Sequence, residues 1–484
     1  MLKFYNTLSH KKEVFRSIIK GEARIYACGP TVYNVPHIGN MRTYVQEDIF
    51  KRLLIYKGYR VKHIINITDV GHLAGDANLG EDKVRMEARK ENKSAAQVAE
   101  EYTRSFVKDL KLLNILMPDR LPRATGHISE MLECVKQLDR KGYLYRIETG
   151  MYYNTSKFKN YGELTRMSFG ELNKYLIAGA RVERASGIKN TTDFAVWRFN
   201  DVEKEMIWDS EWGRGFPGWH IECTAMSFKY LGKHFDIHFG GIDHIPIHHT
   251  NEIAQSEAIT GKKFVNYWIH LNFLTVSGKK MAKSLGNVYT VEDLIKRGYS
   301  ASAIRLFYIS GHYRKKLNFT FEALENVEQT LQGICSFVER LSEVKNAAKG
   351  SGSGEFLKKI RAQKKRFFAE LDDDLNMPEA LSAMHGIISE TNRRKESGKL
   401  SKGEAGAVIK IMLEFDKILG LDMARHLGRK VQEISQEIKD LISSREKARK
   451  EKDFAKADEL RKILREEFNI ALEDTNEGVR WRKC

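Results

Sequence analysis

The chain predicts an α/β protein in which a parallel sheet is assembled from two separated segments, with an insertion between them and a helical region after them. Three observations carry this reading. Residues 24–67 run strand-like, then helix-like, then strand-like. Residues 235–276 repeat that character, and the intervening Arg123–Glu205 has many turns and few long patterns. A strand, a helix and a strand at this spacing form a βαβ unit, whose strands pair in parallel.

The elements follow in order. Met1–Thr7 reads as a first strand. Arg24–Cys28 is a short strand that Gly29-Pro30 ends. From Ile38 to Tyr56 apolar positions recur at helical spacing, and Gly58 is a natural stop. Val61–Ile67 is β-branched and apolar, a second strand. Phe235–Phe239 is another, followed by Gly240-Gly241, a helix ending near Gly261 and strand-like sequence over Phe264–Val276. Beyond about residue 320 the character is helical. Lys345–Gly354 is a Gly/Ser-rich flexible linker, and proline suits a helix start near Pro378. Residues 431–467 read as one solvated amphipathic helix with a stripe of Phe454, Ala457, Leu460 and Leu464.

Composition bounds the function. At 484 residues the chain exceeds a single core and predicts several domains. A hydrophobic fraction of 42% and a charged fraction of 30% allow a packed core. No apolar run nears the roughly 20 residues that span a bilayer, and the first residues lack an apolar secretory core. No membrane association and a cytoplasmic location are therefore expected. The five cysteines, at 28, 134, 223, 335 and 484, are odd in number and irregularly spaced, which is no disulfide framework. The net charge of +17 favours a polyanionic partner, without separating RNA from DNA.

Neither of the two common phosphate loops is present. Two segments offer another way to hold a nucleotide. Pro36-His37-Ile38-Gly39-Asn40 opens a helix, where unpaired N–H groups and a partial positive charge suit phosphate. His37 and Asn40 could donate to it, and Gly39 permits close approach. Taken alone, these residues also fit a capped helix with a surface histidine. Lys280-Met281-Ala282-Lys283-Ser284-Leu285-Gly286-Asn287, flanked by Gly278, reads as a mobile loop whose lysines could close over a triphosphate. Alone, it also fits a solvated basic turn.

A third constellation has metal-ligand chemistry. Cys28 ends the first strand of the βαβ unit, and Cys223 lies in Pro217-Gly218-Trp219-His220-Ile221-Glu222-Cys223. In Asp243–Glu252, Pro246 suits a helix start, which sets His248 and Glu252 four apart on one face. Cys28, Cys223, His248 and Glu252 would make a four-ligand zinc site. On this reading Pro246 breaks the turn between His244 and His248, and His249 points off the shared face. Ordinary polar residues near a helix start remain the alternative.

His37-Ile38-Gly39-Asn40 resembles the first motif of class I aminoacyl-tRNA synthetases, usually His-Ile-Gly-His, and the lysine loop resembles their second, usually Lys-Met-Ser-Lys-Ser. Asn40 departs from the first and Ala282 from the second. Within that class the chain resembles the cysteinyl-tRNA synthetases, through Cys28, Gly218–Cys223 and His248–Glu252. The likeness extends through Asn66–Asp69, Asn251–Ser256 and Ser310–Arg314 to Leu472–Asp474 and Trp481-Arg482.

The resemblance implies a split Rossmann-type catalytic domain (1–122 and 206–276) with an inserted connective domain (123–205). A stem-contact region with the lysine loop (277–320), a helical bundle (321–425) and an anticodon-binding domain (426–484) would follow. It implies a monomer that uses ATP with Mg2+ to join L-cysteine to tRNA(Cys). His37, Asn40, Lys280 and Lys283 would act at the α-phosphate, with Gly39 also at the ATP. Zinc would sit on Cys28, Cys223, His248 and Glu252. Trp219 would line the thiol pocket, and Gly29, Thr68 and Asp243 would hold the rest of the amino acid. Two rivals are an amide-forming ligase that joins cysteine to an amino-sugar and an inactive RNA-binding relative. The first lacks the full anticodon-binding end, and Asn40 alone supports the second.

Overall fold

The computed structural model describes residues 1–72, 82–178, 186–200, 205–282, 285–344, 353–427, 435–468, 470–475 and 478–483. The second loop lysine Lys283, residues 345–352 of the expected linker and Cys484 lie outside the described residues. The chain forms two compact units, Met1–His426 and Leu427–Cys484.

The first unit is built on a four-stranded parallel sheet in the order Val265–Leu271, Phe235–Gly241, Glu22–Ala27, Arg60–Ile65. Parallel strands covered on both faces read as near-continuous apolar runs, and Ile25, Tyr26, Ala27, Phe235, Ile237 and Phe239 are all fully buried. The segment after Met117 extends the sheet irregularly, with bridges from Ile64 to Arg120 and from Ile67 to Arg123. The N-terminal strand Lys3–Asn6 pairs with Lys11–Val14, and Thr7 N donates to Trp268 O. Between the halves of the sheet lies a separate antiparallel sheet of Leu144–Ile147, Gly150–Tyr153, Phe194–Phe199 and Gly215–Pro217. Leu274–Val276 begins a small three-stranded sheet that carries Lys279–Lys280 on one edge and Leu317–Phe319 on the other.

The helix Ile38–Tyr56 crosses from the first strand to the second and stops where expected, with Gly58 at φ +87. It is buried on most of its surface, and Arg42, Gln46, Glu47, Asp48, Lys51 and Arg52 are buried with the apolar residues. Each cation finds acceptors. Arg42 donates to the carbonyls of Asn272, Phe273, His312 and Lys315, which ties this helix to the segment behind the small sheet. Helices Phe321–Ser342, Ser353–Asp372, Met377–Glu396 and Lys402–Leu419 complete the unit.

One buried carboxyl group is expected to make stability depend on pH. Asp109, on the helix Ala95–Leu112, is 3% exposed and its Oδ2 has no hydrogen-bond partner. Burial, reinforced by Glu292 and opposed by Lys108, raises its pKa to about 7. An unfolded aspartate titrates near 4. The folded state therefore holds this proton more tightly, and stability falls as pH rises from about 4 to about 7. Asp109→Asn is expected to raise Tm by about 2–4 °C at pH 8 and to leave it unchanged at pH 4. An equal shift at both pH values in thermal melts would refute the buried-charge account.

In the second unit the expected single helix over 431–467 is two helices, Gln436–Lys450 and Phe454–Glu466. Lys452 adopts φ +62, and Asp453 Oδ1 caps the second helix by accepting from Lys456 N at 3.1 Å. Folding back lets the stripe bury itself: Leu464 packs with Ile438, Ile470 and Leu472. Ala457 is also buried, but Phe454, expected on the stripe, is 61% exposed. The hairpin Ile470–Thr475/Gly478–Lys483 ends the unit.

Candidate active site

The order of the sheet reverses between Glu22–Ala27 and Phe235–Gly241, since the chain leaves these strands toward opposite edges. In open parallel sheets ligands bind at such a switch point, beyond the carboxyl ends of the strands. Cys28 and Gly29 follow one of these strands, and Gly240-Gly241 end the other. Gly29 N donates to Asn66 Oδ1 at 2.9 Å, and a Cβ at position 29 would overlap the Asn66 carbonyl.

Cys28, Cys223, His248 and Glu252 converge at this point. One ligand atom from each lies within 4.8 Å of all the others, and all four residues are buried. Cys223 comes from the helix Trp219–Leu231; Glu252 comes from Thr250–Thr260, which continues the π-type turn Ile245–His249 carrying His248. Two sulfurs, an imidazole and a carboxylate form a donor set that suits zinc. Glu252 Oε1 lies 2.9 Å from His248 Nε2 yet has no hydrogen-bond partner by geometry, so the two atoms are not aligned as donor and acceptor. Burial pushes both thiols up, but the neighbouring Cys28 thiol and the charge of His248 draw Cys223 below its ordinary value. Burial, reinforced by the neighbouring Cys223, keeps Cys28 well above its ordinary value. Glu252 is held down at about 2: burial raises it, and His238 and His248 more than offset that.

A shell of histidines supports this cluster. His220 Nδ1 lies 2.9 Å from His248 Nδ1, and His238 Nε2 lies 2.8 Å from Glu252 Oε2. A histidine that ligates through Nε2 carries its proton on Nδ1, so His248 would donate to His220. Such outer partners fix ring orientation, and losing one typically costs about 10–100-fold in metal affinity. His220→Phe, which keeps a ring and removes both nitrogens, is expected to weaken zinc binding by about that factor. Competition with a zinc chelator measures it, and unchanged affinity would dismiss the role.

Two expectations about this segment are corrected. Pro246 sits in the first turn of Ile245–His249 and does not separate His244 from His248, whose ring centroids are 5.1 Å apart. Proline lacks an N–H that a first turn does not need, so the backbone coils through it. His249 does not point away either: its Nε2 is 3.3 Å from Cys28 Sγ and 4.0 Å from Glu252 Oε1. The π turn bonds i to i+5 and so changes which residues face the site. Cys28, His238, His249 and Glu252 form a second buried group with metal-ligand spacing, sharing two members with the first.

The two candidate nucleotide motifs also meet. His37 is the N-cap of Ile38–Tyr56, its Nδ1 accepting from Asn40 N at 3.2 Å while Asn40 Oδ1 accepts from His37 N at 3.1 Å. Asn40 thus completes a reciprocal cap and keeps its amide N–H groups as donors. With Nδ1 accepting, the His37 proton lies on Nε2, and burial lowers the pKa so that the ring is neutral at pH 7. His37 bridges to Thr290, Ile38 N donates to Tyr289 O, and a Cβ at Gly39 would strike the Met281 methyl. The lysine loop therefore lies over the start of this helix. Lys280 is exposed, with Nζ 5.7 Å from the Phe273 ring centroid. Asn287, to which the sequence assigns no role, fastens the loop by accepting from Ala282 N at 2.9 Å and donating to Lys280 O at 3.2 Å.

Of the expected amino-acid residues, Thr68 is buried, and its Oγ1 accepts from Asn66 Nδ2 at 3.0 Å. Trp219 stacks on His248 with centroids 4.2 Å apart and on His72 at 4.1 Å. Asp243 is exposed, its carboxylate folded against Gly241. His72 and His220 lie within or beside quoted motifs, but nothing in their spacing signals a contact made only through the fold.

Comparison with known proteins agrees with this geometry. Residues 14–329 match the family model described as the tRNA synthetases class I (C) catalytic domain, and 366–424 match the DALR domain. Residues 431–482 match the cysteinyl-tRNA ligase anticodon binding domain. The fold resembles Mycobacterium tuberculosis methionyl-tRNA synthetase bound by methionyl-adenylate, with a TM-score of 0.61 at 14% identity over 84% of this chain and 93% of that one. It also resembles the leucyl enzyme of Agrobacterium radiobacter in a ternary complex, with a TM-score of 0.59 at 12% identity over 85% and 86%. A parallel sheet split by an insertion, with two facing nucleotide motifs, is the class I aminoacyl-tRNA synthetase architecture. The cysteine–tRNA ligase of Treponema denticola is 40% identical, covering 100% of this chain and 99% of the relative. That of Thermococcus gammatolerans is 39% identical over 100% and 99%. The chain belongs to the cysteine–tRNA ligase family of ATP-dependent ligases. No helix among the described residues is long and apolar enough to cross a membrane.

Proposed function

We propose that Cys28, Cys223, His248 and Glu252 hold one zinc ion, and that substrate cysteine is selected there before its carboxylate is activated by ATP and Mg2+. The observation that carries this is the convergence of four buried ligand atoms within 4.8 Å at the switch point of the sheet. When bound, zinc supplies a thiolate-selective Lewis acid against which serine's hydroxyl competes poorly. Trp219 walls the thiol pocket, while Gly29, Thr68 and Asp243 hold the amino acid's backbone end. A carboxylate oxygen of cysteine then attacks the α-phosphorus of ATP; the new O–P bond forms as the bond to pyrophosphate breaks. His37, Gly39 and Asn40 position the nucleotide, and Lys280 and Lys283 balance the charge that develops there. In the second step the terminal ribose 2′-hydroxyl of tRNA(Cys) attacks the adenylate carbonyl and releases AMP.

Residues 1–122 and 206–276 are assigned to the catalytic domain, 123–205 to the inserted connective domain and 277–320 to the stem-contact region; the strand Gly215–Pro217, past the second boundary, pairs with the inserted sheet. Residues 321–425 form the helical bundle and 426–484 the anticodon-binding domain. The anticodon-binding match at residues 431–482 favours tRNA over an amino-sugar acceptor. The enzyme acts as a cytoplasmic monomer. Cysteine-dependent exchange of labelled pyrophosphate into ATP, run beside serine, tests the reading. Exchange with cysteine and none with serine is expected; no exchange in folded, zinc-loaded protein would overturn it.

A further inference from the structure

We infer that Lys83, His72 and Thr31 form a positioning relay that turns the Thr31 hydroxyl into a hydrogen-bond donor to a carboxylate oxygen of the amino acid being activated. Thr31 lies three residues after Cys28, in the segment leaving the first strand, and is seated there by a bridge to Thr68. Val32 N donates to Thr68 O, and Thr68 N donates to Pro30 O, each at 3.1 Å. Its Oγ1 is 2.5 Å from His72 Nδ1, and His72 Nε2 is 2.7 Å from Lys83 Nζ. A second bond, Lys83 N to His72 O at 3.0 Å, holds the same two residues together through the backbone.

The polarity of this chain follows from donor and acceptor chemistry. A lysine ammonium can only donate, so His72 Nε2 must accept. A neutral imidazole that accepts at Nε2 carries its proton on Nδ1, so His72 donates to Thr31 Oγ1. Thr31 then has its hydroxyl hydrogen turned away from His72. Placed at the switch point, it suits an anionic oxygen, and of the two amino-acid ends only the carboxylate offers one. The other tautomer would reverse this and make Thr31 an acceptor from its ligand.

The relay also reaches the thiol pocket. The His72 ring lies flat on Trp219, with centroids 4.1 Å apart at 9°, and Trp219 also stacks on His248 at 4.2 Å. The ring that sets the polarity of Thr31 therefore also backs the wall beside a proposed zinc ligand. Lys83 opens the helix Lys83–Glu91, whose start is fixed by Asp82 Oδ1 accepting from Val84 N and Arg85 N. None of the three residues needs to change its protonation state during the reaction. They act by orientation, which places Lys83 and His72 as positioning residues and Thr31 as the group that touches the substrate.

The inference rests on the adenylation reading above, and the test separates the two. Pyrophosphate exchange is measured on full-length, zinc-loaded protein at varied cysteine, for the wild type and for Lys83→Met, Lys83→Arg, His72→Phe and Thr31→Val. His72→Phe keeps a ring on Trp219 and removes both nitrogens. The expected result is a fall in kcat of about 10–100-fold in Lys83→Met, His72→Phe and Thr31→Val. KM for cysteine should stay within about threefold, because the thiol pocket is intact, and Lys83→Arg should recover most of the rate. The double variant Lys83→Met/His72→Phe should lose no more than either alone, since the residues act as one unit. If wild-type exchange is present and Lys83→Met and His72→Phe keep wild-type kcat, the relay is wrong while the adenylation reading stands. The same conclusion follows if the loss lies in KM alone, or if Lys83→Arg fails to recover the rate although it is folded and zinc-loaded.

Discussion

Cys223→Ala is expected to bring the zinc content from the proposed one per chain to below about a tenth and to reduce cysteine-dependent exchange beyond the roughly 10–100-fold that a supporting residue costs. Cys223 is 1% exposed, and although burial pushes its thiol up, the neighbouring Cys28 and His248 draw it below the ordinary value. A ligand must be deprotonated to bind metal, and His248, raised against its burial to about 10 by Glu252 and Cys223, holds the proton that Cys223 gives up, so Cys223 contributes a sulfur ligand rather than a lower proton cost. Without it, Cys28 remains as the one sulfur, and its own thiol sits well above the ordinary range because of burial. The remaining set is then a poorer zinc site, with three ligands and one sulfur. The consequence for specificity is as large as that for rate. A site that recognises one specific bond rejects an analogue lacking it by about 10⁴–10⁵-fold. Cysteine-over-serine discrimination should therefore collapse together with the metal. Zinc analysis and paired exchange assays measure both. A variant that keeps one zinc per chain and its preference for cysteine would remove Cys223 from the ligand set.

The catalytic fold is legible in the sequence where local rules govern it. Ile38–Tyr56 begins and ends at the residues that capping and periodicity indicate, because His37, Asn40 and Gly58 act within a few positions of the helix. His248 and Glu252 are legible as a pair for the same reason, being one turn apart. His249 is not, because its place depends on a π turn, and apolar spacing does not distinguish that turn from an α-helix. The hairpin of Gln436–Lys450 and Phe454–Glu466 is hidden similarly: charged sequence runs through the turn at Lys452 without a proline or glycine to mark it. His72 and His220 acquire their contacts with Thr31, Trp219 and His248 only through the tertiary fold. Sequence resemblance identified the four proposed ligands; the fold supplied what holds them.

The same limit applies to the buried charges of Ile38–Tyr56, and there it bears on stability. Asp48 Oδ2 lies 2.7 Å from Arg52 Nε and 2.6 Å from Arg305 Nη2, and Asp48 and Arg305 are fully buried. Asp48 Oδ1 also accepts from Leu116 N at 2.9 Å. Arg305 donates onward to the carbonyls of Leu419 and Leu113, at 2.6 and 2.9 Å. One carboxylate thus joins the helix of the βαβ unit, the segment after Ala95–Leu112, the helix Ala301–Ser310 and the end of Lys402–Leu419. Removing it leaves two guanidinium groups without their counter-charge, one of them fully buried, and a broken buried pair costs about 3–5 kcal/mol. Asp48→Asn, which keeps the shape, is expected to destabilise the first unit by that amount, lowering the urea midpoint while leaving zinc content intact. Replacing both partners with apolar residues often restores stability elsewhere, but here Asp48→Leu/Arg305→Met should recover only part of the loss. The carbonyls of Leu419 and Leu113 would still lack donors, at about 1–3 kcal/mol each. Denaturant titration of the three proteins decides the matter. A loss under about 1 kcal/mol in Asp48→Asn, or full recovery in the double variant, would mean that apolar packing alone joins these helices.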